Sequence, residues 1–316
     1  MSPRRKHTPR GVRRVVSLLL ALTTAMSVMA CTGTTHSRQG VVVTTNILGD
    51  ITRAIVGDEA EVTVLMKPNA DPHSFGVSAQ QAAHIEQAGL VVYNGLGLEE
   101  GVLRNVDAAE EAGVPTLAVG EQVNPIRYAT DESAGQPDPH FWTDPQRVHD
   151  AVGVIAEQLI SNVDGLDEAV IRRNAARYRA AIEELDTEMG LRFDEIPRER
   201  RKLVTNHHVF GYLAKRFGFE IVGAVVPSGT TLASPSAADL KSLADTVRST
   251  GVPTIFADSS QPDRLARVLA DQAGLDVAVV PLFSESLTEP GQGAASYLEM
   301  MRANTEAITT GLRQQN

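Results

Sequence analysis

The sequence predicts an α/β fold: two parallel-sheet lobes joined by one long connecting α-helix. Three observations predict it. From Val41 to Val119, β-branched runs alternate with amphipathic stretches, and such alternation implies parallel sheets. The alternation restarts at Leu203 and continues to Val280. Between the two sets lies the most regular segment of the chain, 167–196. Its apolar positions Ile171, Ala175, Tyr178, Ile182, Leu185, Met189, Phe193 and Ile196 recur in steps of three and four. No short sequence period recurs, so two similar lobes are expected and a solenoid is not.

Each element has a local cause. Val41, Val42, Val43, Thr44 and Thr45 are all β-branched and form a buried strand, followed by a helix over 48–56 and a strand over 61–65. Ser78 caps a helix that stops at Gly89; a strand over 90–93 closes on Asn94-Gly95. A helix over 99–111 and a strand over 116–119 complete the first set. A long loop, 120–143, leads to Asp144-Pro145, a helix start with Asp as N-cap and Pro in the first turn. That helix carries Val148, Val152, Ile155 and Leu159 on one face. Pro197 and the charged 198–202 stretch end the long helix. The second set then gives strands over 203–205, 220–226, 252–256 and 277–280. Its helices are expected over 209–217, 236–249 (opened by Ser234-Pro235), 262–273 and 296–312.

Formal net charge is −10, yet Arg4, Arg5, Lys6, Arg10, Arg13 and Arg14 crowd the start with no acidic residue before Ala30. The rest of the chain is therefore more acidic than the whole, which argues against nucleic acid as a partner and suits cations. The basic stretch precedes an apolar run, 15–30, that is short for a membrane span of about 20 residues. It reads as a signal peptide over 1–30 ending in Ala30-Cys31, which resembles a lipobox. Cys31, the only cysteine, has no partner for an intramolecular disulfide, and a lipid anchor is its best use. Residues 31–40 read as a tether, 41–166 as the N-terminal lobe, 167–196 as the linker helix and 197–316 as the C-terminal lobe.

Three histidines and a carboxylate fall just past predicted strands: His73, His140, His207 and Glu285. Three imidazole nitrogens and one carboxylate oxygen suit a borderline divalent metal, zinc first. Open α/β sheets bind ligands beyond the carboxyl ends of their strands, which is where these loops lie. His73 and His140 each follow Asp-Pro, and proline stiffens the approach of the ligand. Ligating imidazoles are neutral, so zinc affinity is expected to fall steeply through about pH 6.5, with more than one proton taken up per ion released.

Six segments in order carry a family resemblance: Asn69-Ala70-Asp71-Pro72-His73; Val92-Tyr93-Asn94-Gly95-Leu96-Gly97-Leu98-Glu99; Asp138-Pro139-His140-Phe141-Trp142-Thr143-Asp144-Pro145; His207 with Phe210-Gly211-Tyr212; Ile255-Phe256-Ala257-Asp258; and Tyr297-Leu298-Glu299-Met300-Met301-Arg302-Ala303-Asn304. The chain from Val41 to Leu312 resembles the metal-binding lipoproteins of zinc and manganese ABC importers. The resemblance implies a metal site in the cleft between the lobes, with ligands at His73, His140, His207 and Glu285. His at the third position is the zinc pattern, where manganese importers often carry Glu. Two departures stand out: Glu285 is a methylene longer than the usual Asp, and His208 occupies a position where Asp is common. Asp258 and His208 are expected beside the metal rather than on it.

The implied protein is not an enzyme. It is an extracytoplasmic, lipid-anchored, monomeric Zn²⁺ receptor that serves an ABC permease and its ATPase subunit, with a metallochaperone as a further partner. Small lobe motions and loop ordering are expected on binding, not wide hinge closure. The rivals are a Mn²⁺ or Fe²⁺ receptor of the same class, a zinc-dependent hydrolase and an adhesin. No His-Glu-x-x-His helix supports a hydrolase, and a fourth protein ligand would close its open position. His7 and His36 fall in the signal and tether; His84 and His149 are expected to be solvated.

Overall fold

The computed structural model describes residues 40–129, 133–274 and 277–313. The expected signal peptide, Cys31, His7 and His36 lie outside them. Among the described residues no helix is long and apolar enough to cross a membrane.

The β-branched runs form two four-stranded parallel sheets with the same strand order. In the first, β1 (Val41–Val43), β2 (Val62–Val64), β3 (Leu90–Tyr93) and β4 (Thr116–Ala118) lie as β2-β1-β3-β4. In the second, β5 (Lys202–Thr205), β6 (Glu220–Ala224), β7 (Thr254–Asp258) and β8 (Ala278–Leu282) lie as β6-β5-β7-β8. The helices are α1 (Asn46–Val56), α2 (Ala79–Gln87), α3 (Leu103–Glu111), α4 (Val119–Gln122), α5 (Pro145–Asn162), α6 (Glu168–Asp194), α7 (Gly211–Phe217), α8 (Ala237–Thr250), α9 (Arg264–Ala273) and α10 (Tyr297–Arg313).

Successive strand residues face opposite layers. Val42, Val91, Val204 and Ile255 join two outer cores, where α2 and α3 cover the first sheet and α8 and α9 the second. Val41, Val43, Leu90, Val92, Leu203 and Phe256 face inward and meet α1, α5, α6 and α10 in a single core that spans both sheets. The long helix α6 spans 27 residues, about 40 Å at 1.5 Å per residue. It buries Ile171, Ala175, Ile182, Leu185, Met189 and Phe193 along one stripe. Asn174 Nδ2 donates to Ile55 O near its start, and Phe193 meets Phe217 and Phe219 at ring distances of 5.0 Å near its end. It is tied to both lobes along its length.

Several boundaries differ from expectation for local reasons. Helix α3 starts at Leu103 because Glu99 is occupied: its carboxylate accepts from Thr44 Oγ1, Asn94 N and Gly95 N. Helix α8 is capped by Ser236, whose hydroxyl accepts from Asp239 N while Asp239 accepts from Ser236 N; Ser234-Pro235 lies upstream. The expected loop 120–143 contains the last three residues of α4, an Arg127–Pro137 bridge and a 3₁₀ turn at Phe141–Thr143. His149 is not solvated as expected. Its side chain is 13% exposed, held between Arg179 and Glu183 of α6.

Candidate metal centre

The two Asp-Pro-His segments fold alike. Asp71 Oδ1 accepts from His73 N at 2.9 Å, and Asp138 Oδ1 accepts from His140 N at 2.9 Å. The proline fixes one dihedral, but the aspartate closes the turn by bonding the backbone two residues on. Asp138 Oδ1 also lies 2.8 Å from His140 Nδ1. That contact holds the proton on Nδ1 and leaves Nε2 as the free donor atom. Asn94 Nδ2 donates to Pro139 O at 3.0 Å, so the Glu99 turn steadies the His140 loop from behind.

His207 directly follows β5, where Thr205 Oγ1 donates to its carbonyl at 2.8 Å. Glu285 follows β8 on a loop fixed at both shoulders. Trp142 Nε1 donates to Ser284 O at 2.9 Å, and Asn46 exchanges hydrogen bonds with Ser286 Oγ and Leu287 N at 2.8 and 2.9 Å. Both anchors come from outside the lobe that carries Glu285.

These supports bring His73, His140, His207 and Glu285 together, with one donor atom from each lying within 4.8 Å of the others. Glu285 Oε1 is 3.1 Å from His207 Nε2 and 3.4 Å from His140 Nε2; Glu285 Oε2 is 3.6 Å from His73 Nε2. The Nε2 atoms of His73 and His140 are 3.4 Å apart. Four ligands at about 2.0–2.1 Å around a tetrahedral ion stand roughly 3.3 Å from one another. The four separations bracket that edge length. The chemistry available is binding of one divalent ion by four side chains.

His208 does not join the group. It is half-buried, its backbone N donates to Ser228 O, and its ring sits 6.5 Å from Tyr128 beside a cavity of about 320 Å³. Asp258 is buried with Oδ1 bonded to Ser260 N at 2.7 Å, and its charge favours protonated His207. Sequence reasoning missed Tyr128, whose hydroxyl is 3.1 Å from His140 Nδ1, and the structural roles of Asn46 and Asp71. The repeated Asp-x-His spacing was a usable signal for the aspartates. Tyr128 had none.

Burial disfavours charge on all four side chains. It lowers His73 to about 4 and lowers His140 and His207, while it raises Glu285 well above the usual carboxylate value. Glu285 Oε1 and His207 Nε2 lie 3.1 Å apart, so protonation of either is felt by the other. Burial thus works against charge on the imidazoles and on Glu285 alike, so the carboxylate competes with the imidazoles for a proton taken up on ion release. A bound divalent ion competes with any proton these side chains hold, so its affinity is expected to fall as pH drops. Burial holds all three histidines below the ordinary histidine value, so their contribution to that fall comes at lower pH, with His73 joining near 4. Competition titrations across pH check this; a steep fall centred on about 6.5, the unperturbed histidine value, would contradict it.

The sequence profile of the family described as zinc-uptake complex component A, periplasmic, matches residues 41–311. The chain is 28% identical to the manganese ABC transporter substrate-binding lipoprotein PsaA of Streptococcus pneumoniae, covering 96% of this chain and 99% of that one. It is 29% identical to the metal ABC transporter substrate-binding lipoprotein FimA of Streptococcus parasanguinis, with 96% and 99% covered. Among solved structures it is similar to the periplasmic zinc binding protein TroA from Treponema pallidum, with TM-score 0.79, 27% identity, and 87% and 99% covered. A Mn-bound periplasmic metal binding protein from Candidatus Liberibacter asiaticus aligns with TM-score 0.75 and 27% identity, covering 87% and 100%.

Proposed function

Because this chain belongs to the zinc-uptake complex component A family, we propose that it captures Zn²⁺ outside the cytoplasm and hands it to an ABC permease. Membership makes it a metal-transporter substrate-binding protein, not an enzyme, and implies a permease and an ATPase as partners. The relatives are lipoproteins, which supports lipidation of Cys31 and anchoring at the membrane. We assign the ligands as His73, His140, His207 and Glu285.

The observation that carries the choice of zinc is the donor set. Three imidazole nitrogens and one carboxylate, all buried, lie within 4.8 Å of one another. Manganese prefers six oxygen-rich ligands, and the Irving–Williams order ranks zinc above it at a given site. Manganese is the second reading, because several relatives are named for it and Glu285 has two oxygens to offer.

Elemental analysis of protein purified without added metal, followed by competitive titration, separates the two. One zinc per chain and a zinc preference of several orders of magnitude are expected. Retention of manganese against equimolar zinc would reverse the assignment.

A further inference from the structure

His73, His140, His207 and Glu285 are 2%, 0%, 0% and 1% exposed, so no ion reaches or leaves them without movement. Rotating one lobe against the other would have to open the core they share, so the movement falls to the loops. One loop lies behind all three histidines. It is the 228–231 segment between β6 and α8.

Its contacts cross the cleft. Thr231 Oγ1 donates to Asp71 Oδ2 at 2.7 Å, and Asp71 holds His73 N with its other oxygen. Gly229 O accepts from Tyr128 Oη at 3.3 Å, and that same oxygen touches His140 Nδ1. Ser228 O accepts from the backbone N of His208, the residue after His207. Gly229 N donates to Ser133 Oγ at 2.9 Å, which pins the segment to the Tyr128 hairpin. Gln261 Nε2 adds a second donor to Asp71 Oδ2 at 3.0 Å. Gly229 is needed for this approach, since a Cβ there would come within 2.5 Å of the Tyr128 ring and hydroxyl.

We infer that residues 228–231 form a strap across the cleft, and that its grip on Asp71 and Tyr128 sets how fast the bound ion is released. Thr231 is a positioning residue in this scheme: it touches no metal but holds the aspartate that orders the His73 turn. Releasing the strap takes one of two donors from Asp71, leaving Gln261, and takes the acceptor from Tyr128, so the supports of two imidazoles weaken in one event. The inference rests on the metal-site reading proposed above.

The test uses the full chain loaded with zinc and mixed with excess chelator, with release followed by the fluorescence of Trp142, whose ring lies 5.2 Å from that of His140. Thr231→Val removes the donor at nearly constant volume. Zinc stoichiometry stays at one per chain while release accelerates about ten- to a hundredfold, the usual effect of losing a partner behind a ligand. Thr231→Ser restores the parent rate, which a purely steric role would not predict. Gly229→Ala, which pushes against Tyr128, also accelerates release. Thr231→Val releasing at the parent rate, or Thr231→Ser releasing as fast as Thr231→Val, would overturn the strap while leaving the site intact. A parent chain that binds no zinc would overturn the site, and the strap with it.

Discussion

His140→Ala weakens zinc binding by well over a hundredfold. Loss of a partner supporting a ligand costs about 10–100-fold in affinity, and loss of the ligand itself costs more. His140 is the best supported of the four: fully buried, with Asp138 on Nδ1 and Asn94 behind its loop. Its removal also takes the imidazole partner from Asp138, whose carboxyl burial has already pushed up to about 7. His73→Ala and His207→Ala follow the same pattern. His208→Ala costs less than tenfold, because that ring stands outside the donor group. Competition titration against a chelator of known affinity measures all four. If His208→Ala proves more costly than His207→Ala, the third ligand has been misassigned.

Saturating zinc stabilises the folded chain by about 4 kcal/mol when free zinc is a thousandfold above Kd. The side chains themselves make the gain available. Both ring nitrogens of His207 and both oxygens of Glu285 are buried with no hydrogen-bond partner in the protein. An ion supplies a partner to every ligand atom at once. Denaturation midpoints with zinc and with chelator measure the shift, and in His140→Ala it should largely vanish at the same zinc concentration. A parent chain with equal midpoints in the two conditions would show that these groups are not the ligands.

Much of the architecture was legible because its signals are local. Valine-rich runs mark β1 and β3, Asp144-Pro145 marks the start of α5, and the stripe from Ile171 to Phe193 marks α6. The loops bearing the histidines were legible for a different reason: strand ends in parallel sheets are where ligands collect. What escaped depends on partners far away in sequence. Glu99 looked like the start of a helix because nothing nearby says that Thr44, 55 positions earlier, will donate to it. Asp71 looked like half of a stiff dipeptide; its bond to Thr231 spans 160 positions. Burial, which no local pattern reports, lowers the basicity of the imidazoles and raises that of Glu285.

The proposed ligands come from four loops on two sheets, and neighbours such as His73 and His140 are 67 positions apart. Closing even one chain loop of that size costs about 3.7 kcal/mol of entropy before any bond to an ion forms. A nascent or translocating chain therefore carries three imidazoles and a carboxylate but has no chelating power worth the name. It can travel through a compartment rich in other metals without collecting them. Acquisition begins when the two sheets have formed and set the loops face to face, so the place of folding, as much as the donor set, decides which ion is met first.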